Sequence, residues 1–371
     1  MNTDHIAIPG PSVGTQHALT LMRFGKTGAR PQVYIQAALH ADEIPGMACA
    51  IVLRRRLESL ERGGALRGEV VLVPVANPVG LAQAVLGSEI GRFDLASGVN
   101  FNREHAALGE ALVERVRAAL TMDRDKNTVL VREALADLIA ALPAQTPAEH
   151  LKKALLAMAA QADIVLDLHC DAEAVVHLYT TSHSAGTFAP LAARLRALAY
   201  LIADVSGGDP FDEALSRPWA ELAAAIPDKP VALGCHATTV ELRGQNDVSS
   251  ALAEADATAI LAFLQDVGVL AGQADPAPDA LCEATPLAAS EPIVCPVGGV
   301  LTFRHDVGAT LRAGEPVADV TDPISGAVTT IPSPCDGVLF ARVMGRFTRP
   351  GRRLGKVAGR VAHRTGKLLG A

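Results

Sequence analysis

From Gln32 to Asp266, short apolar runs alternate with longer stretches of helical periodicity. Val- and Ile-rich runs predict strands at Val33–Leu39, Glu69–Ala76, Asp163–His169, Val175–Thr180, Ala199–Val205 and Val231–Leu242. Unbroken apolar runs such as VVLVPVA and DIVLDLH suit strands buried on both faces. Between them, apolar spacing near 3.6 predicts helices over 46–61, 105–120, 128–141, 147–161, 187–197 and 250–265. Alternation of this kind predicts an α/β domain with a mixed sheet flanked by helices. Ligands in such folds bind beyond the carboxyl ends of the strands. Polar residues gather at those ends: His40, Asn77, His169 and Glu241.

Past Gly272 the texture changes. The Ala/Pro-rich stretch 273–287, QADPAPDALCEATPL, reads as a linker between a domain of residues 1–272 and a β-rich domain of residues 288–371. That second region carries a weak internal repeat, in which Gly299-Val300-Leu301 matches Gly337-Val338-Leu339 and Gly314 matches Gly351. Two copies predict a small β-sandwich or barrel with pseudo-twofold symmetry. It resembles the barrel-sandwich hybrid of lipoyl and biotinyl carrier domains. A carrier needs a lysine at the hairpin between the copies, and TDPISGAVTTI has none, so a structural cap or oligomer contact is expected. The tail is also basic, from Arg342 to Lys367. With an acidic body and no aromatic interleaving beyond Phe347, these charges are expected to be solvated or docked on that body rather than on nucleic acid.

Composition narrows the class. The 371 residues are 49% hydrophobic and 20% charged, with net charge −7, which fits a globular protein and gives no global attraction to nucleic acid or acidic membrane. MNTDHIAIPG lacks the basic and apolar segments of a signal peptide, and no apolar run is long enough to span a membrane. Six scattered cysteines with no C-x-x-C pair suit free thiols in a reducing cytoplasm, the expected location.

In ALHADEIPG, His40 and Glu43 stand three apart where an apolar run ends, so one turn can present both to a metal. A catalytic zinc site needs three N or O ligands and an open fourth position. His169, at the exit of DIVLDLH, is the candidate third ligand. Adjacent Asn102 and Arg103 in VNFNR form a compact fork for a carboxylate. Glu241 interrupts an apolar strand, and a carboxylate there needs a partner or a task, such as general base for an activated water. Asp167 shares a strand face with His169, whereas Cys170 points away.

The order H-x-x-E, N-R, H at a strand end, E at a strand end is similar to zinc carboxypeptidases. More narrowly, ALHADEIPG, VPVANPVG, GVNFNR, VLDLH and TTVELRG resemble the succinylglutamate desuccinylase/aspartoacylase branch over roughly residues 30–340. The resemblance implies a zinc-carboxypeptidase-like core, one zinc ion on His40, Glu43 and His169, Glu241 as base, and Asn102 and Arg103 on a substrate carboxylate. It also implies that Arg92 polarises the scissile carbonyl. The substrate would be a small N-acyl amino acid of succinyl, acetyl or aspartyl type, or else a small dipeptide, including a β-aspartyl one. No membrane or nucleic-acid partner is expected, and a homo-oligomer is. The sequence departs from the family pattern at Ala41, in NREHAALG after Asn102, and at Asn100, where zinc carboxypeptidases carry an aspartate that orients the zinc-bound histidine. The rival from another class is a non-catalytic polyanion-binding protein built around the basic tail.

Overall fold

The computed structural model describes residues 1–370. Nine strands form one mixed sheet: β1 (Asn2–Pro9), β2 (Gln16–Phe24), β3 (Gln32–Ala37), β4 (Glu69–Val73), β5 (Ile164–Asp171), β6 (His177–Thr180), β7 (Ala199–Ile202), β8 (His236–Gly244) and β9 (Ala284–Pro286). Their spatial order is β1-β2-β4-β3-β5-β8-β6-β7-β9. The centre is parallel from β4 through β3 and β5 to β8, while β1, β2 and the β8–β6 pair are antiparallel.

The alternation of side chains along a strand divides the core in two. Val33 and Ile35 of β3 join Val70 and Leu72 of β4 on one face, under α1 (Ile44–Arg62), α5 (Ala185–Arg194) and α7 (Ser250–Asp266). Tyr34, Val71 and Val73 join the other, under α2 (Gly109–Val116), α3 (Arg124–Ala141), α4 (Pro147–Ala159) and α6 (Phe211–Ala225). Both faces of the central strands are therefore dry, as the unbroken apolar runs predict.

Three elements lie outside the sequence expectations. The β1–β2 hairpin extends the sheet at its edge, and β1 is mostly exposed, so its sequence has no buried pattern to read. Helix α6 contains Pro218 and starts after Pro210, which masks its periodicity. Strand β9 falls inside the stretch expected as a linker and pairs in parallel with β7. Boundaries also move: the predicted strand from Val231 begins at His236, because 231–235 is irregular, and the helix predicted over 105–120 forms only over Gly109–Val116.

The tail is all-β. Strands β10 (Ser290–Val294), β12 (Thr310–Leu311), β15 (Gly337–Arg342) and β17 (Arg353–Ala358) form one sheet. Strands β11 (Gly299–Phe303), β13 (Pro316–Thr321), β14 (Val328–Pro332) and β16 (Phe347–Thr348) form the other, around a core of Leu301, Val317, Val320, Leu339, Leu354 and Val357. The tail docks on the main body through pairing of Glu173–Ala174 with β15. Arg342 and Arg346 meet Glu173, and Lys356 meets Asp171 with 2.6 Å between Nζ and Oδ2. Part of the basic tail is thus neutralised by the acidic body. Among the described residues, no helix is long and apolar enough to cross a membrane.

Candidate metal centre

The β3 strand ends at Ala37, and the chain turns through Ala38–Asp42 into α1. Glu43 occupies the helix N-cap position, yet its side chain makes no capping bond. It turns instead between two imidazoles: His40 Nδ1 lies 2.8 Å from Oε1, and His169 Nδ1 lies 2.8 Å from Oε2. Gly46 makes this approach feasible. A Cβ there would stand 2.9 Å from the Leu168 carbonyl oxygen and 3.1 Å from the Ala37 Cβ, so a larger residue would push α1 off the strand that carries His169.

The three residues are 2–3% exposed, and their ligating atoms lie within 4.8 Å of one another. His40 Nε2 is 2.9 Å from Asn100 Oδ1, and His169 Nε2 is 2.9 Å from Asp167 Oδ2. Oxygen acceptors behind each ring favour protons on Nε2 and leave the Nδ1 lone pairs converging on Glu43. Two nitrogen lone pairs facing a buried carboxylate are the surroundings of a cation, and the N₂O donor set suits zinc. Without a cation, burial lowers the His40 pKa despite the Glu43 charge. At His169 burial is outweighed by the Asp167 and Glu43 carboxylates, which raise the pKa well above the usual imidazole value. Burial alone would raise the Glu43 pKa, but the two histidines hold it well below the carboxylate range.

Behind the centre runs a buried chain that sequence reading did not find. Tyr34 Oη donates to Gln36 Oε1 at 2.9 Å, and Gln36 Nε2 donates to Asp167 Oδ1 at 2.9 Å. Asp167 shares a face with His169, as the strand alternation predicts. The legible signal was Gln36 itself, an amide inside the apolar run VYIQAAL.

Arg92 lies over the same donors, its Nη1 3.2 Å from both His40 Nδ1 and Glu43 Oε1, with the side chain 38% exposed. It is held there by Gly91, whose carbonyl accepts from the Ala41 N–H at 3.1 Å and where a Cβ would sit 2.2 Å from the Asp42 nitrogen. Glu241 pairs in register with His169 across parallel β5 and β8, so both side chains emerge on one face at the same level. Its Oε2 is out of solvent and has no hydrogen-bond partner. Burial, reinforced by the Glu43 charge, pushes its carboxyl up to about 8.

Asn102 is already engaged: Oδ1 accepts from the Phe211 N–H at 2.8 Å, and Nδ2 lies 3.4 Å from His169 Nε2. Arg103 donates Nη1 to the Asn102 carbonyl at 2.7 Å, while Nη2 and Nε meet the Gly370 carbonyl at 2.8 and 3.2 Å. The far end of the tail therefore reaches the pocket. Leu368 is buried beside Tyr179, Leu201 and Phe340, and its N–H donates to the Ser206 carbonyl at 2.7 Å.

All seven predicted residues except Glu43 line a single cavity of about 280 Å³, and Glu43 sits just behind its wall. A cavity of that size suits a small molecule rather than a protein chain. Further wall residues that sequence reading did not single out for the pocket include Tyr179, Asp212, Glu213 and Lys356. Cys170 also reaches the wall, while His177 and His236 are held by the Val175 carbonyl and the Ser184 hydroxyl.

A model of the succinylglutamate desuccinylase/aspartoacylase catalytic domain matches residues 29–267. A succinylglutamate desuccinylase/aspartoacylase family protein from Shewanella amazonensis SB2B superposes with a TM-score of 0.84 at 28% identity, covering 96% of this chain and 98% of that one. A protein of like description from Shewanella frigidimarina NCIMB 400 gives 0.84 at 27% identity, covering 96% and 97%. The ectoine utilization protein of Ruegeria pomeroyi shares the fold, with a TM-score of 0.66 at 16% identity over 97% of this chain and 95% of that one. A comparison with curated proteins finds no match. With well over half of its length matched, and every residue of the His-Glu-His cluster inside the match, the chain belongs to the succinylglutamate desuccinylase/aspartoacylase family.

Proposed function

We propose that this protein is a zinc-dependent hydrolase that cleaves one amide bond of a small, carboxylate-bearing substrate, an N-acyl amino acid. The family name describes removal of an acyl group from an amino acid, which supports the reaction class. The observation that carries the reading is Glu241: a carboxylate without a partner, level with His169, on the wall of a small cavity that also holds the metal-competent cluster.

His40, Glu43 and His169 hold the metal. When bound, zinc supplies Lewis-acid polarisation of the scissile carbonyl and makes water acidic enough to deprotonate near neutral pH. Glu241 takes the proton of the attacking water and delivers it to the leaving amine nitrogen as the carbon–nitrogen bond breaks. Its unpartnered oxygen on the cavity wall, level with His169, leaves it free for both halves of that task. Arg92 offers its guanidinium to the developing oxyanion. Arg103 binds the substrate carboxylate, exchanging a neutral carbonyl partner for a charged one.

Metal analysis and an activity screen test this together. The purified protein is expected to hold one zinc per chain, and chelation is expected to abolish hydrolysis of N-acyl amino acids. A protein with no stoichiometric zinc, or a zinc-loaded one inert on every N-acyl amino acid and dipeptide, overturns the reading.

A further inference from the structure

The cavity wall beyond Arg103 carries two adjacent acids, Asp212 and Glu213, in the first turn of α6. They are 6% and 4% exposed, and among the described residues neither takes part in an ion pair. Three nearby cations have hydrogen-bond partners elsewhere. Arg217 meets Asp209 at 2.9 Å and Glu221 at 2.8 Å, Arg103 faces the Gly370 carbonyl, and Lys152 Nζ donates to the Arg103 carbonyl at 2.6 Å. Acids at a helix start are ordinarily favoured by the macrodipole. That accounts for their type but not for burying both in a ligand cavity without a direct ion pair, which is costly.

A second observation points the same way. Ser206 lines this wall at 1% exposure, and its Oγ has no hydrogen-bond partner. Glu213 Oε1 accepts the Ser206 N–H at 2.9 Å, while Glu213 Oε2 is also left without a partner. Burial pushes the carboxyl of Asp212 to about 6, reinforced by the Asp167 charge, and that of Glu213 to about 7, reinforced by the Asp212 charge. Hydroxyl and carboxylate oxygens facing one cavity, with no direct ion pair among them, match a group with three N–H donors and one positive charge.

We propose that Asp212, Glu213 and Ser206 form a subsite for a primary ammonium group of the substrate. The substrate is then zwitterionic, with its carboxylate on Arg103 and a free amine on the acidic wall, which sets it apart from purely anionic acyl amino acids. The amine belongs either to the amino-acid side, as in an N-acyl diamino acid, or to the acyl side, as in a dipeptide. The inference rests on the hydrolase reading for the word substrate, but not for the binding of the amine.

Three compounds separate the possibilities on the full-length, zinc-loaded protein: Nα-acetylnorvaline, Nα-acetylornithine and glycylnorvaline. The second adds an amine to the side chain of the first, and the third adds one to its acetyl group. One amine-bearing compound is expected to exceed acetylnorvaline in kcat/KM by at least about tenfold, the lower end of what one charge-assisted hydrogen bond contributes. The double replacement Asp212→Asn, Glu213→Gln brings that ratio close to one, chiefly through KM. Equal kcat/KM for all three in the unmodified protein overturns the subsite. Calorimetry of the same compounds on zinc-loaded Glu241→Gln protein distinguishes the two failures. Tighter binding of an amine-bearing compound with no turnover of any in the unmodified protein keeps the subsite and removes the hydrolase reading. Equal binding of all three overturns the subsite whatever the turnover.

Discussion

Replacing Glu241 by glutamine separates two consequences of the same unpartnered carboxylate. Glutamine keeps the shape of the side chain but cannot carry the proton of the attacking water. General acid–base catalysis contributes about 10²–10⁴ in rate, or roughly 3–5 kcal/mol of activation free energy. Turnover should therefore fall at least about a hundredfold, while zinc stays bound, because His40, Glu43 and His169 are untouched. The same change relieves a cost in the metal-free protein. The Glu241 carboxyl is raised from 4.5 to about 8 on folding. A raised acid is protonated in both states below its unfolded value, so it costs nothing there. As pH rises from 4.5 toward 8 the unfolded chain releases a proton that the folded one retains, and stability falls. Glutamine has no such dependence. Near pH 8 a shift of that size amounts to a few kcal/mol, so chelated Glu241→Gln protein should be more stable by that order there. The advantage should vanish near pH 4. Denaturant midpoints across that range, with zinc content and turnover on the loaded protein, read all three quantities. Residual activity above about a tenth, or a stability gain equal at both ends of the pH range, would refute the assignment.

Three further outcomes are expected. Asn100→Asp places a carboxylate behind His40 Nε2, now 2.9 Å from the amide oxygen, and should tighten zinc retention by about tenfold in competition with a chelator. Gly46→Ala forces a methyl group against the Leu168 carbonyl and Ala37. It should cost about 1–3 kcal/mol and loosen zinc binding while helical content, followed by circular dichroism, is kept. Lys356→Met leaves Asp171 without its partner across the junction of body and tail. The denaturant midpoint should drop by the equivalent of about 2 kcal/mol at an unchanged slope.

The His-Glu-His cluster and Glu241 were legible because each sits where a buried strand ends. Strand ends in a sheet with parallel neighbours converge on one crevice, so order along the chain already constrains position in space. His169 and Glu241 come level because β5 and β8 pair in register, and the apolar runs around them leave no other face for a charged side chain. The β1–β2 hairpin and α6 were not legible for the opposite reason. An exposed edge strand has no buried face to pattern it, and a helix holding Pro218 breaks the rule by which periodicity is read.

The cavity wall around Arg103 belongs to a third kind. Arg103 meets Gly370 across 267 positions of sequence, and Leu368 reaches Ser206 through a contact that nothing in KLLG announces. Asp212 and Glu213 make the point most sharply. Read in sequence, an Asp-Glu pair at a helix start is ordinary dipole chemistry, best left in water. Only the packing of α6 against the tail-lined cavity removes that water, and the hydrogen bonds that Arg103 and Arg217 make elsewhere leave the pair without a direct ion pair. A catalytic centre must use residue types that are rare at buried positions, so it marks the sequence. A specificity wall can be assembled from ordinary residues, and its chemistry arises when tertiary contacts take away their usual partners.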